Sequence, residues 1–170
     1  MAKNRTASST HKRVAVALFE GPVAQGYVNP GALGREDSLE LLTRDGETKA
    51  IALDDVKAVY FVKEFTEAPE PERKTFLSRP KLDGLWVRLR FRDDDELEGV
   101  VPNDLVDLLD AGIRLTPPDL HGNCLRIFVP RTALAEMKVL GVVGVARRPQ
   151  RPKLAATDSA SDAQAKLFGE

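Results

Sequence analysis

Val14-Ala15-Val16-Ala17-Leu18-Phe19-Glu20-Gly21-Pro22-Val23-Ala24-Gln25-Gly26-Tyr27-Val28 and Val87-Arg88-Leu89-Arg90-Phe91-Arg92-Asp93-Asp94-Asp95-Glu96-Leu97-Glu98-Gly99-Val100-Val101 carry one pattern twice. With Gly26 placed over Gly99, Val14 falls on Val87, Val16 on Leu89, Leu18 on Phe91, Ala24 on Leu97 and Val28 on Val101, without a gap. Apolar residues alternate with others in both stretches, the period of β-strands. Glu20-Gly21-Pro22 and Asp93-Asp94-Asp95 break the two runs at the same place. Each stretch therefore reads as a β-hairpin.

The correspondence continues with small insertions. Leu39 and Leu41 match Ile113 and Leu115 as a third strand, and residues 50–53 match 128–131 as a fourth. Asp55-Val56-Lys57-Ala58-Val59 then lies over Ala133-Leu134-Ala135-Glu136-Met137 and reads as a helical turn. Asp54 or Thr132 is the expected cap, because their side-chain oxygens accept from open helix N–H groups. A short fifth strand follows, Tyr60-Phe61-Val62 or Val139-Leu140-Gly141. The expected fold is all-β: two tandem small SH3-like or Sm-like barrels, each with a short helical turn. Closing such a sheet removes its exposed edges. The expected divisions are a basic N-terminal tail at 1–12, a first repeat at 13–63, a linker at 64–84, a second repeat at 85–145 and a disordered tail at 146–170. Phe65, Phe76 and Leu77 are the linker residues able to pin it to a barrel.

The signature run is Ile51-Ala52-Leu53-Asp54-Asp55-Val56-Lys57-Ala58-Val59-Tyr60-Phe61-Val62-Lys63-Glu64-Phe65. It resembles an uncharacterised bacterial family, a domain of unknown function marked by L-x-D-V-K-A-V-Y-F-V. Asn123-Cys124-Leu125-Arg126-Ile127-Phe128-Val129 is also similar to that family. The resemblance covers roughly residues 13–141 and implies tandem SH3-like or Sm-like repeats. It brings no known activity, so it assigns no site residues. Asp93-Asp94-Asp95 departs from the Asp-Gly turn expected at that place.

Hydrophobic residues make up 42% of the 170 and charged residues 30%, enough apolar surface for a packed core. No apolar run approaches the roughly 20 residues that cross a bilayer. One cysteine, Cys124, leaves no internal disulfide. The N-terminus is polar and basic and lacks the apolar stretch of a secretory signal. A cytoplasmic location is the expectation. Net charge is −1, unevenly spread. Lys3, Arg5, Lys12 and Arg13 make the start basic, and Arg147, Arg148, Arg151 and Lys153 do the same after residue 146. The part between them is acidic, whereas nucleic-acid binding usually leaves a basic footprint on the folded body. Nucleic acid is thus disfavoured as a partner, and those four C-terminal residues are its weak candidates.

The two hairpins differ on their second faces. In the later one, Arg88, Arg90 and Arg92 run beside Glu96 and Glu98. A three-residue turn would set Arg92 across from Glu96 and Arg90 across from Glu98, a solvated ladder contributing about 0.2–1 kcal/mol per pair. In the earlier one, the same positions are Ala15, Ala17, Phe19, Val23, Gln25 and Tyr27, nearly apolar. A strand apolar on both faces is normally covered on both. Ala15, Ala17, Phe19, Val23 and Tyr27 are therefore the candidate interface, toward the second repeat, the linker, another subunit or a ligand.

Chemistry-bearing groups are sparse. His121 and Cys124 are two potential ligands where zinc needs three or four. A Cys–His nucleophile needs a third, orienting group, and none is identifiable. Asp93 to Glu96 is an acidic turn without the glycine and terminal glutamate of a calcium loop. Asp104, Asp107 and Asp110 suit the polar face of a short helix packed over a barrel end. Phosphate-loop and dinucleotide patterns are missing. Arg147 and Arg151 have the Arg-x-x-x-Arg spacing of cyclic-dinucleotide receptor domains of the PilZ type, without their companion Asp-x-Ser-x-x-Gly element. No catalytic, cofactor or metal residues are assigned. The expectation is a non-enzymatic binding or adaptor module with protein partners or self-association. An Sm-like RNA binder with basic tails and a cyclic-dinucleotide-responsive regulator are the alternatives.

Overall fold

A computed structural model describes residues 10–144. Ten strands dominate: β1 (Lys12–Leu18), β2 (Ala24–Val28), β3 (Ser38–Thr43), β4 (Thr48–Ala52), β5 (Val56–Val62), β6 (Gly84–Phe91), β7 (Glu96–Val101), β8 (Gly112–Leu115), β9 (Cys124–Pro130) and β10 (Leu134–Val143). One short helix, α1 (Leu105–Leu109), and three 3-10 turns (Pro30–Ala32, Leu53–Asp55, Arg131–Ala133) complete them. All strand pairings are antiparallel, so the all-β class read from the alternation holds.

The strands form a seven-stranded sheet, β4-β3-β2-β1-β5-β9-β8, and a three-stranded sheet, β10-β6-β7. One bridge joins them, Val100 N–H to the Thr116 carbonyl at 3.0 Å and the reverse at 2.9 Å. The strand order therefore runs from β4 to β10, with those two strands as its ends. Neither sheet closes on itself among the described residues, which departs from the expected pair of closed barrels. The reason is β9: it pairs with β5 of the first half, and β10 is left with β6 as its sole neighbour among the described strands.

Registers in the two halves correspond. Val14↔Gly26, Ala15↔Gln25 and Val16↔Ala24 recur as Val87↔Gly99, Arg88↔Glu98 and Leu89↔Leu97. Leu39↔Ile51 and Leu41↔Lys49 recur as Ile113↔Val129 and Leu115↔Ile127. On β5, Leu18↔Val56 is followed by Ala17↔Ala58, skipping Lys57. On β10, Phe91↔Leu134 is followed by Arg90↔Glu136, skipping Ala135 at the matching position. A Cβ on Gly26 would sit 2.3 Å from the Leu42 carbonyl oxygen, and one on Gly99 would sit 2.2 Å from Leu115 Cδ1. Glycine at both places lets the next strand approach.

Three local expectations are corrected. The helical turn falls before Val56, as a 3-10 turn at Leu53–Asp55 or Arg131–Ala133, and neither turn has a side-chain cap bond. Val56 already belongs to β5, since its alternate residues are buried on two opposite faces, and β10 extends to ten residues. The second hairpin pairs Arg90 with Glu96 and Arg88 with Glu98, because Phe91 N–H closes on the Asp95 carbonyl and the three-residue turn is Arg92-Asp93-Asp94, one residue earlier than expected.

Two hydrophobic clusters hold the sheets. One gathers Val14, Val16, Val28, Leu39, Leu41, Ile51, Val56 and Val59 from the first half, with Phe128 from β9. The other gathers Val87, Leu89, Phe91, Leu97, Ile113, Ile127 and Val129 with Ala17, Ala58, Tyr60 and Val62 from the first half. The halves thus share their cores. Residues 63–83 carry no regular element, yet they are pinned. Phe65 meets Tyr27 edge-on at 5.6 Å, and Phe76 meets Trp86 at 6.1 Å. Leu77, the third expected pin, stands 80% exposed.

Candidate functional site

The five candidate interface residues separate. Ala15 and Ala17 are buried, and Ala17 belongs to the cluster built with the second half. Phe19 packs against that cluster, under the Arg92 guanidinium at 3.8 Å from the ring centroid. Tyr27 is half-buried beneath Phe65. Val23 stands exposed in the β1–β2 turn. Most of this face is therefore covered within the chain.

Glu98 is the one buried charged residue among those described, 3% exposed. Its carboxylate accepts from the Phe76 N–H (3.0 Å), Trp86 Nε1 (3.2 Å) and Arg88 Nη2 (2.8 Å). Its own N–H donates to the Lys74 carbonyl at 2.7 Å. Burial alone would push this carboxyl up, but those donors outweigh it and hold it below the usual range. The expected solvated ladder is thus partly roofed by the linker. Nearby, Lys57 Nζ lies 2.7 Å from Asp93 and 3.0 Å from Asp95, and Lys74 lies 2.9 Å from Asp95. Burial again opposes the charged forms, yet the ion pairs prevail: both carboxyls are lowered and Lys57 is raised. This network ties β5 and the linker to the second hairpin's turn, so the acidic turn has a structural use.

Cys124 is buried, and burial pushes its thiol up to about 12, the reverse of an activated thiolate. His121 is exposed in the preceding loop, where its N–H meets Asp119 Oδ1 at 3.3 Å. Among the described residues no group of three His, Cys, Asp or Glu side chains could hold a metal ion. Asp104 caps α1 through the Val106 N–H at 2.9 Å. The helix does not lie over a core as expected: Leu108 packs, while Leu105, Val106 and Leu109 are about three-quarters exposed. Arg147, Arg148, Arg151 and Lys153 lie outside the described residues. A concavity beside β2 and β3 is lined by Tyr27, Asn29, Arg35, Glu36, Ser38 and Glu40 among others.

Sequence reading placed β10 only at Val139-Leu140-Gly141 and missed its exposed face. Met137, Val139, Leu140 and Val142 are exposed along it, at 36%, 54%, 37% and 60%. Met137 and Val139 pair with the buried Leu89 and Val87 and share their core side, yet among the described residues no strand covers them beyond β10. Arg79 donates to the Val142 carbonyl, so the linker touches the far end of this edge. The signal was present in Val139-Leu140-Gly141-Val142-Val143, an apolar run that carries no charge in the chain's last expected strand.

Fold and site define an all-β, antiparallel protein with a shared core and one open apolar strand edge. No helix among the described residues is long and apolar enough to cross a membrane. The chain belongs to DUF6982, a family of unknown function, whose pattern matches residues 10–141. No curated protein and no solved structure matches it.

Proposed function

We propose that this chain is one SH3-like or Sm-like β-unit made twice, and that it acts as a non-enzymatic binding or adaptor module whose contact element is β10. The matched registers, the skipped residue at the same place on β5 and β10, and the paired glycines support the duplication. The observation that carries the binding reading is the exposed apolar edge of β10. A long apolar edge strand is a template for another strand, and native proteins usually blunt such edges with charge, proline or a covering element. Here Lys138 is the one basic residue in ten. Strand addition uses the edge's backbone groups for affinity and its alternate side chains for selectivity. Lys57, Asp93 and Asp95, by contrast, are engaged in joining the two halves.

Affinity capture with the full chain tests the reading. A partner held by the wild type and lost with Val139→Lys/Val142→Lys is expected, whether another protein or a second copy. Identical eluates from the two baits contradict it.

A further inference from the structure

The chain contains its own example of how the last strand of a half is covered. β5 is flanked by β9, with Val59 opposite Phe128, Tyr60 opposite Ile127 and Phe61 opposite Arg126. β10 stands where β5 stands, by its pairing and by its skipped residue. β4 stands where β9 stands, since each pairs with the preceding strand in the same register and leads into a 3-10 turn. The effect of a missing neighbour is visible in burial. Val59 is 0% exposed, whereas Met137, its counterpart, is 36% exposed. The strand order ends at β10 on one side and at β4 on the other.

We infer that a second copy of this chain lays its β4 along β10, as β9 lies along β5, so that copies assemble head to tail; this rests on β10 being the binding element. The internal register, carried over, sets Met137 opposite Ala50 of the next copy, Lys138 opposite Lys49 and Val139 opposite Thr48. β4 is open to this. Thr48, Lys49 and Ala50 are exposed. The β3–β4 ladder has Thr43 N–H on the Glu47 carbonyl at one end and Leu53 N–H on the Asp37 carbonyl at the other. Antiparallel alternation between those ends turns the Thr48 and Ala50 N–H groups outward. The facing lysines are each diagonal to a glutamate: Lys138 to Glu47 of the next copy, and that copy's Lys49 to Glu136. Diagonal neighbours lie within reach of long side chains, so the two glutamates offset the like-charge contact of the facing lysines. Arg79 bonds the strand at Val142, beyond these three positions. Because the contact is heterologous, every added copy presents a fresh edge, and the assembly ends as a closed ring or continues as a filament.

Light scattering on the eluting full chain reads this directly. The wild type is expected at a multiple of the 18.7 kDa monomer, rising with concentration. Val139→Lys/Val142→Lys blocks β10. Ala50→Pro blocks β4 at an outward N–H, with exposed Ala50→Lys as the substitute should the proline unfold the chain. Each blocked variant alone is expected at the monomer mass, and an equimolar mixture at twice it, since one still offers β4 and the other β10. A wild type that stays at 18.7 kDa at every soluble concentration overturns the inference. So does a β4-blocked variant that assembles like the wild type, which would mean β10 pairs with itself. A monomeric wild type whose capture of another protein still depends on β10 sinks head-to-tail assembly and leaves the binding reading standing.

Discussion

Glu98 joins chemistry to architecture at the scale of one residue. Truncating it would leave the Phe76 and Trp86 N–H groups without their acceptor in a site 3% exposed. Stranding buried donors costs about 1–3 kcal/mol, so Glu98→Ala is expected to lower the urea midpoint by that amount of stability. The pH dependence has a definite sign. Glu98, Asp93 and Asp95 are held below their ordinary values when folded. The unfolded chain therefore binds more protons in the acid range, and stability falls as pH drops below the ordinary carboxylate range of about 4. Lys57, raised when folded, adds a loss only in strongly alkaline solution. Urea midpoints from pH 3 to 7 should fall on the acid side, less steeply in Glu98→Gln; a flat profile would contradict this. Asp94 carries φ 66°, a left-handed conformation that favours glycine. Asp94→Gly is expected to raise stability by about 0.5–1 kcal/mol, with little lost from its exposed pair with Arg90. The Asp-Gly turn expected of the family is consistent with that geometry. Glu98's burial was not legible in sequence, because the roof over it comes from residues 74–76, which lack any periodic pattern.

Elements were legible where period-two alternation is strong. β1, β2, β6 and β7, and the gapless placement of Gly26 over Gly99, came straight from the residues. The helical turn was set too late because Asp54-Asp55 suggests a cap, whereas the β-branched and aromatic run from Val56 fits a strand. α1 was expected over a core because its leucines and valine alternate with aspartates, yet three of its four apolar side chains face outward. Gly26→Ala would drive a Cβ into the Leu42 carbonyl, a backbone atom that cannot step aside. A loss of about 1–3 kcal/mol is expected in thermal or urea unfolding, and an unchanged midpoint would show that β2 and β3 are less closely apposed.

For the molecule as a whole, sequence reading divided the chain at a linker, and the halves on either side of it share core residues. Phe128 of the second half completes the first half's cluster, and Ala17, Ala58, Tyr60 and Val62 enter the other. Alternation within a strand says which faces are apolar but not which sheet will cover them, so the β5–β9 seam left no mark in the pattern. Phe128→Ala is expected to cost about 3–5 kcal/mol and to destabilise both halves together. Unfolding should be a single cooperative transition by fluorescence and by circular dichroism; two separated transitions would mean independent repeats. The most direct test of the open edge is hydrogen exchange at the β10 amides that point away from β6. Protection that appears in concentrated wild type and vanishes on dilution, or in Val139→Lys/Val142→Lys, is the expected result. Equally fast exchange of those amides at every concentration would contradict a β10 that pairs with a second copy.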